Sequence, residues 1–131
     1  MFDIEICEAK RVSLVSFHGE LTARDFEELD RLARTAGDGG GFHCIYDTTR
    51  VTVNALVTDF VASRGQLPQT FKDYERFYVV PQDDLKLLVR LYIAYQASQR
   101  AHPPLMVDSL DEALRRLGVD RSEFRTVFTS P

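Results

Sequence analysis

No apolar run in this 131-residue chain approaches the roughly 20 residues that a membrane-spanning helix requires, which excludes a helical membrane protein. Surplus positive charge is missing as well. Sixteen basic residues face twenty acidic ones, for a net charge of -4, and this removes the electrostatic basis for binding nucleic acid or an anionic membrane surface. Cysteine is scarce. Cys7 and Cys44 sit in apolar, strand-like runs, where a free thiol behaves as a small hydrophobe. With no positively charged leader ahead of the alternating Met1-Phe2-Asp3-Ile4-Glu5-Ile6, this usage predicts a reducing, cytoplasmic location.

Chemical signatures are equally sparse. His18, His43 and His102 do not fall at metal-ligand spacing, and His43 and Cys44, adjacent on a strand, point to opposite faces. His18-Gly19-Glu20 offers a base and an acid but no nucleophile for them to activate. Gly37 to Gly41 precedes a strand, whereas a phosphate-binding loop follows one and opens a helix. No metal or cofactor is therefore expected, and the chain reads as non-enzymatic. An enzyme would need His18, Glu20 or Asp47 gathered in one cleft.

What is present is a core. Hydrophobic residues make up 44% of the chain, with nine Phe and five Tyr, and a single domain of this length buries roughly two-thirds of its unfolded surface. Alternation in Phe2 to Ile6 and again in Val12 to Phe17 predicts an N-terminal β-hairpin. Thr22-Ala23-Arg24-Asp25 has the form of a capping box for an amphipathic helix over about Thr22 to Thr35, with Phe26, Leu29, Leu32 and Ala33 on its apolar face. The glycines from Gly37 to Gly41 stop it. A strand from Phe42 to Asp47 then enters a turn at Thr48-Thr49-Arg50. A second helix covers about Asn54 to Arg64, and Arg76 to Val80 form a strand that Pro81 ends. A third helix, capped by Asp83 or Asp84, runs to about Gln99, and Pro103-Pro104 bars its continuation. Leu105 to Val107 form a short strand, and Ser109-Leu110-Asp111-Glu112 caps a last helix that Gly118 closes. Ser122 to Pro131 are a tail whose Phe124, Val127 and Phe128 predict docking rather than disorder.

Strands alternating with helices in this way predict an α/β fold with a mixed, mostly parallel sheet and about four helices. The hairpin followed by Gly19-Glu20-Leu21-Thr22, the strand Cys44-Ile45-Tyr46-Asp47, the strand Arg76-Phe77-Tyr78-Val79-Val80 and the closing Val107-Asp108-Ser109-Leu110-Asp111-Glu112-Ala113-Leu114 resemble the STAS fold. Within it they are most similar to the bacterial SpoIIAA-like group. The similarity covers about residues 2 to 119 of one domain spanning 1–131, with 120–131 as the tail. It implies a regulatory or protein-interaction module. In the antagonist proteins of that group a kinase phosphorylates a serine, written Asp-Ser-Ser-Gly, where the second helix begins. Here those positions read Val53-Asn54-Ala55-Leu56-Val57. Neither serine nor glycine is present, so the resemblance implies the fold without the phosphorylation switch.

Two surfaces remain as candidates. Asp47, Thr48, Thr49 and Arg50, with Asn54 as the cap of the second helix, stand at the expected carboxyl edge of the sheet, where α/β folds meet ligands and partners. The alternative there is a local Asx or Ser/Thr turn and a plain N-cap. On the third helix Leu85, Leu88, Val89 and Tyr92 form the stripe that faces the sheet, while Leu87, Leu91, Ala94 and Tyr95 form a second. That stripe can be covered by the tail or a neighbouring helix, form a homodimer contact, or line an apolar pocket. Two functions follow: a non-enzymatic interaction module with a protein partner or itself, and, from Phe71, Tyr74, Phe77, Tyr78, Tyr92 and Tyr95, a carrier or sensor of a small hydrophobic ligand in the manner of lipid-exchange domains. A cavity of several hundred cubic ångströms between the third helix and the sheet would separate the second from the first.

Overall fold

The computed structural model describes residues 1–35, 41–69, 71, 73–99 and 102–131. Of the predicted glycine stop only Gly41 falls among them; Gly37 to Gly40 lie outside the described residues. Strands β1 (Phe2–Cys7) and β2 (Val12–Leu21) pair antiparallel as the predicted hairpin, with Ile4 opposite Val15. Helix α1 (Ala23–Thr35) starts on the expected capping box. The Thr22 amide donates to Asp25 Oδ2 over 2.9 Å, and the Asp25 amide returns to Thr22 Oγ1 over 3.4 Å. Strands β3 (His43–Asn54), β4 (Arg76–Val79) and β5 (Leu105–Val107) are each parallel to the neighbour before them. Helices α2 (Thr58–Gly65), α3 (Asp83–Ala97) and α4 (Leu110–Leu117) complete the crossovers.

The tail contributes a strand. Beyond a short 3₁₀ turn at Arg121–Glu123, strand β6 (Arg125–Thr129) pairs antiparallel with β1, giving one six-stranded sheet in the order β5-β4-β3-β2-β1-β6. Phe128 therefore rests against Phe2, with ring centroids 5.3 Å apart. Bidentate bonds of 2.9 and 2.7 Å from Arg121 to Glu5 hold the same edge.

Strand alternation divides the core into two layers. Leu14, Ile45, Phe77 and Val79 point to one face, where α4 covers them with Ala113 and Leu114. The other face carries Phe2, Val15, Phe17 and Tyr78 beneath Phe26 of α1 and Leu85 and Val89 of α3. Gly65, the last residue of α2, packs on Tyr95 so closely that a β-carbon there would lie 2.6 Å from Tyr95 Cβ. A member of the second apolar stripe of α3 is thus covered by the neighbouring helix.

Three local expectations are corrected. Thr48, Thr49 and Arg50 do not turn the chain, because β3 continues to Asn54. Its register against β2 slips between Ser16 and His18 and again between Gly19 and Glu20, so the extra residues are absorbed as bulges in a long strand. Asn54 does not cap α2 either. Its Oδ1 accepts from the Leu56 amide over 3.0 Å, and the helix begins four residues later behind Val57, which has no side-chain cap bond. The N-cap of α3 is likewise Gln82, with Asp83 and Asp84 in the first turn, where carboxylates suit the helix dipole.

Candidate functional site

The groups expected at the carboxyl edge are consumed by the fold. Asp47 and Thr48 are buried. Asp47 Oδ1 accepts from the Thr49 amide over 2.9 Å, and Thr48 Oγ1 donates to the Val79 carbonyl over 2.7 Å. The Gln82 carboxamide donates back to the carbonyls of Thr48 and Val51. Thr49 and Arg50 are exposed, and Arg50 pairs with Asp3 at 3.5 Å. On α3, Leu87 is 66% exposed and Ala94 is exposed, whereas Leu91 and Tyr95 are half-buried.

The structure brings a different set together. Between α1 and the α2–α3 pair, the face of the sheet that carries Val15 and Tyr78 is left partly uncovered among the described residues, and a cavity of about 840 Å³ opens there. The strand register explains its floor. Ser13, Cys44 and Arg76 lie side by side across β2, β3 and β4, and Val15, Tyr46 and Tyr78 form the next row. Two small side chains in the first row leave the volume that larger ones would fill. The walls are Leu29, Leu32 and Ala33 of α1 on one side, Tyr92 of α3 with Leu67, Pro68, Gln69 and Phe71 on the other, and Ile4 with Phe128 at the β1 edge. Cys44 is the second residue of β3 and Arg76 the first of β4, so the cavity sits under the amino ends of these strands, away from the edge to which sequence pointed. A second, smaller void of about 40 Å³ lies deeper, among Phe17, Phe26 and Leu85.

Polar groups are few in the large cavity and tightly placed. Arg64 forms a bidentate pair with Asp30, at 2.8 and 2.9 Å, and its guanidinium stands 4.9 Å over the Phe26 ring. Burial disfavours the charge on Arg64, yet the Asp30 bonds and the nearby hydroxyls of Tyr78 and Tyr92 hold its pKa above the usual arginine value. Arg76 is 9% exposed and donates to Gln96 Oε1 (2.8 Å), Tyr92 Oη (3.1 Å) and the His102 carbonyl (2.9 Å). Gln96, 1% exposed, passes its own donors to the carbonyls of Gly65 and Leu67 over 2.7 and 2.8 Å. Tyr46 and Tyr78 stack at 4.7 Å, and burial pushes both phenols well above their ordinary pKa, so they stay neutral donors. Burial likewise raises the Cys44 thiol, which makes it an inert wall residue rather than a nucleophile. Among the described residues no group of three His, Cys, Asp or Glu could hold a metal. None of His18, Glu20 and Asp47 lines either cavity.

Sequence reasoning named Tyr78 and Tyr92 as part of an aromatic set but passed over Ser13, Arg64, Arg76 and Gln96. Arg76 carried a readable signal, as a lone arginine at the head of a fully apolar strand.

This architecture is the SpoIIAA-like fold. Scans against family profiles and against curated proteins find no match. Among solved structures the chain is similar to an uncharacterised protein of the DUF3478 family, with a SpoIIAA-like fold, from Shewanella loihica PV-4. The two share 17% identity at a TM-score of 0.56, over 89% of this chain and 92% of that one. Among the described residues no helix is long and apolar enough to cross a membrane.

Helix α2 has Thr58 as its first residue, with Asp59 behind it. A phosphate on Thr58 would meet a carboxylate already placed at the positive end of the dipole. Incubation with an anti-sigma-type kinase is expected to leave Thr52 and Thr58 unmodified, and phosphopeptide mapping by mass spectrometry is the check.

Proposed function

We propose that this chain is a non-enzymatic domain that binds a small apolar molecule in the cavity between α1, α3 and the sheet, as its carrier or sensor, in the cytoplasm where Cys7 and Cys44 stay reduced. The observation that supports this is the cavity itself. Its volume falls in the range of about 300–1,000 Å³ occupied by small-molecule sites, and most of its wall is aliphatic or aromatic with a few buried polar groups. A module working only through its outer surface has no use for such a space, since a packed interior would make it more stable. The cavity therefore favours a ligand over the interaction role as the primary activity, with any partner contact following from occupancy.

The neutral dye N-phenyl-1-naphthylamine is expected to bind saturably, one molecule per chain, with a fluorescence rise that dodecan-1-ol reverses. Ala33 lines the cavity from α1. Ala33→Trp should fill the space and weaken dye binding about tenfold or more, with urea unfolding little changed. Absence of saturable binding in the wild type would overturn the reading.

A further inference from the structure

A buried arginine ordinarily has a counter-charge, because desolvating a guanidinium is costly unless it is paired and hydrogen-bonded. Three arginines line the cavity; Arg34 is exposed, and the two less exposed ones differ in this respect. Arg64 is neutralised by Asp30. Arg76, more deeply buried, has only neutral acceptors: a phenol, a carboxamide and a backbone carbonyl. Among the described residues no carboxylate lies within ion-pair distance of it. Four buried side-chain polar atoms among the described residues also lack a hydrogen-bond partner, and three of them belong to residues lining this cavity: Arg76 Nε, Arg64 Nε and Gln69 Oε1. Two of the three are cationic donors.

We propose that the ligand is an amphiphilic monocarboxylate, such as a long-chain fatty acid, whose carboxylate pairs with Arg76 while its apolar body fills the space between α1 and the sheet. The assignment rests on the ligand-binding function proposed above and deepens it. Charge count selects the head group. With Arg64 and Asp30 cancelling, Arg76 leaves the buried set with one uncompensated positive charge, which a monoanion neutralises and a phosphate dianion would exceed; Arg34, the third arginine of the lining, is exposed and keeps its charge solvated. The planar Nε edge of a guanidinium suits the two oxygens of a carboxylate. Gln96, Tyr92 and the His102 carbonyl occupy the terminal nitrogens and hold the plane of Arg76 in place before a ligand arrives. The aliphatic wall of Leu29, Leu32, Ile4 and Val15 would receive the chain.

Displacement of N-phenyl-1-naphthylamine by dodecanoate, dodecan-1-ol and dodecyl phosphate, each below its micellar concentration at about pH 8, where the carboxylic acid is ionised, tests this on the wild-type protein. Dodecanoate is expected to bind about tenfold or more tighter than the alcohol, and tighter than the phosphate. Arg76→Met should remove that preference while leaving the alcohol affinity in place. Equal affinity for acid and alcohol would overturn the head-group assignment and leave the apolar cavity standing. Tighter binding of the phosphate would overturn the monoanion count. Failure of the dye and all three ligands to bind would overturn both proposals. Should Arg76→Met fail to fold, the wild-type comparison decides alone.

Discussion

Gln96→Leu is expected to lower the unfolding free energy by about 3–4 kcal/mol, although the two side chains are of similar size. Gln96 is 1% exposed and ties three elements at once. Its oxygen accepts from Arg76 of β4, and its nitrogen donates to the carbonyls of Gly65, which ends α2, and Leu67, which begins the segment leading to β4. Leucine would strand a buried guanidinium donor and two buried carbonyls. Each neutral group left unsatisfied costs about 1–3 kcal/mol, a charged one more, and the sum falls short of additive because water can enter beside the cavity. Urea denaturation with an unchanged m-value and a lowered midpoint is the expected reading. A loss below about 1 kcal/mol would show that the network orders the cavity wall without stabilising the fold.

Phe17→Ala should cost about 3–5 kcal/mol. Phe17 is 1% exposed and packs between Phe2 and Phe26, with ring centroids at 5.9 and 5.2 Å, joining the hairpin to α1. The upper part of that range is expected because the ring borders the small void among Phe26 and Leu85. Deleting it would enlarge a space that the surrounding rings already fail to fill, and cavity cost rises with the volume left behind. Guanidinium unfolding followed by far-UV circular dichroism gives the value directly. A change near that of an exposed truncation would mean that α1 settles onto the sheet when the ring is removed.

Local chemistry made much of the fold readable. The capping box at Thr22 and Asp25, the Ser109 cap and the left-handed Gly118 all act within a few residues of sequence. Period-two alternation located the hairpin, and continuous apolar runs located β3 and β4. The misreadings have one physical source. Asp47-Thr48-Thr49 carries turn residues, and their local bonds do form, as Asp47 accepting from Thr49 shows. Yet β2 offers a partner along the whole stretch from Val12 to Leu21, and the ladder draws the chain on as bulges instead of turning it. The same extension moves the start of α2 from Asn54 to Thr58. In the tail, alternation in five residues was too short to separate a docked segment from a strand; the open edge of β1 decided it.

The candidate site was the less legible part. Ser13, Cys44 and Arg76 are more than thirty positions apart in pairs, and each alone is unremarkable: a strand serine, a small buried thiol, an arginine before an apolar run. Only the parallel register sets them in one row.

By itself the sequence determined the elements, their order, the faces each would bury and hence the SpoIIAA-like fold, because caps, periodicity and breakers act over distances of one turn or one strand. Only the tertiary structure decided where the sheet stays uncovered, which buried charge lacks a partner, and that the tail closes an edge. Those outcomes depend on how far apart helices settle on a shared face, a distance that no local pattern encodes.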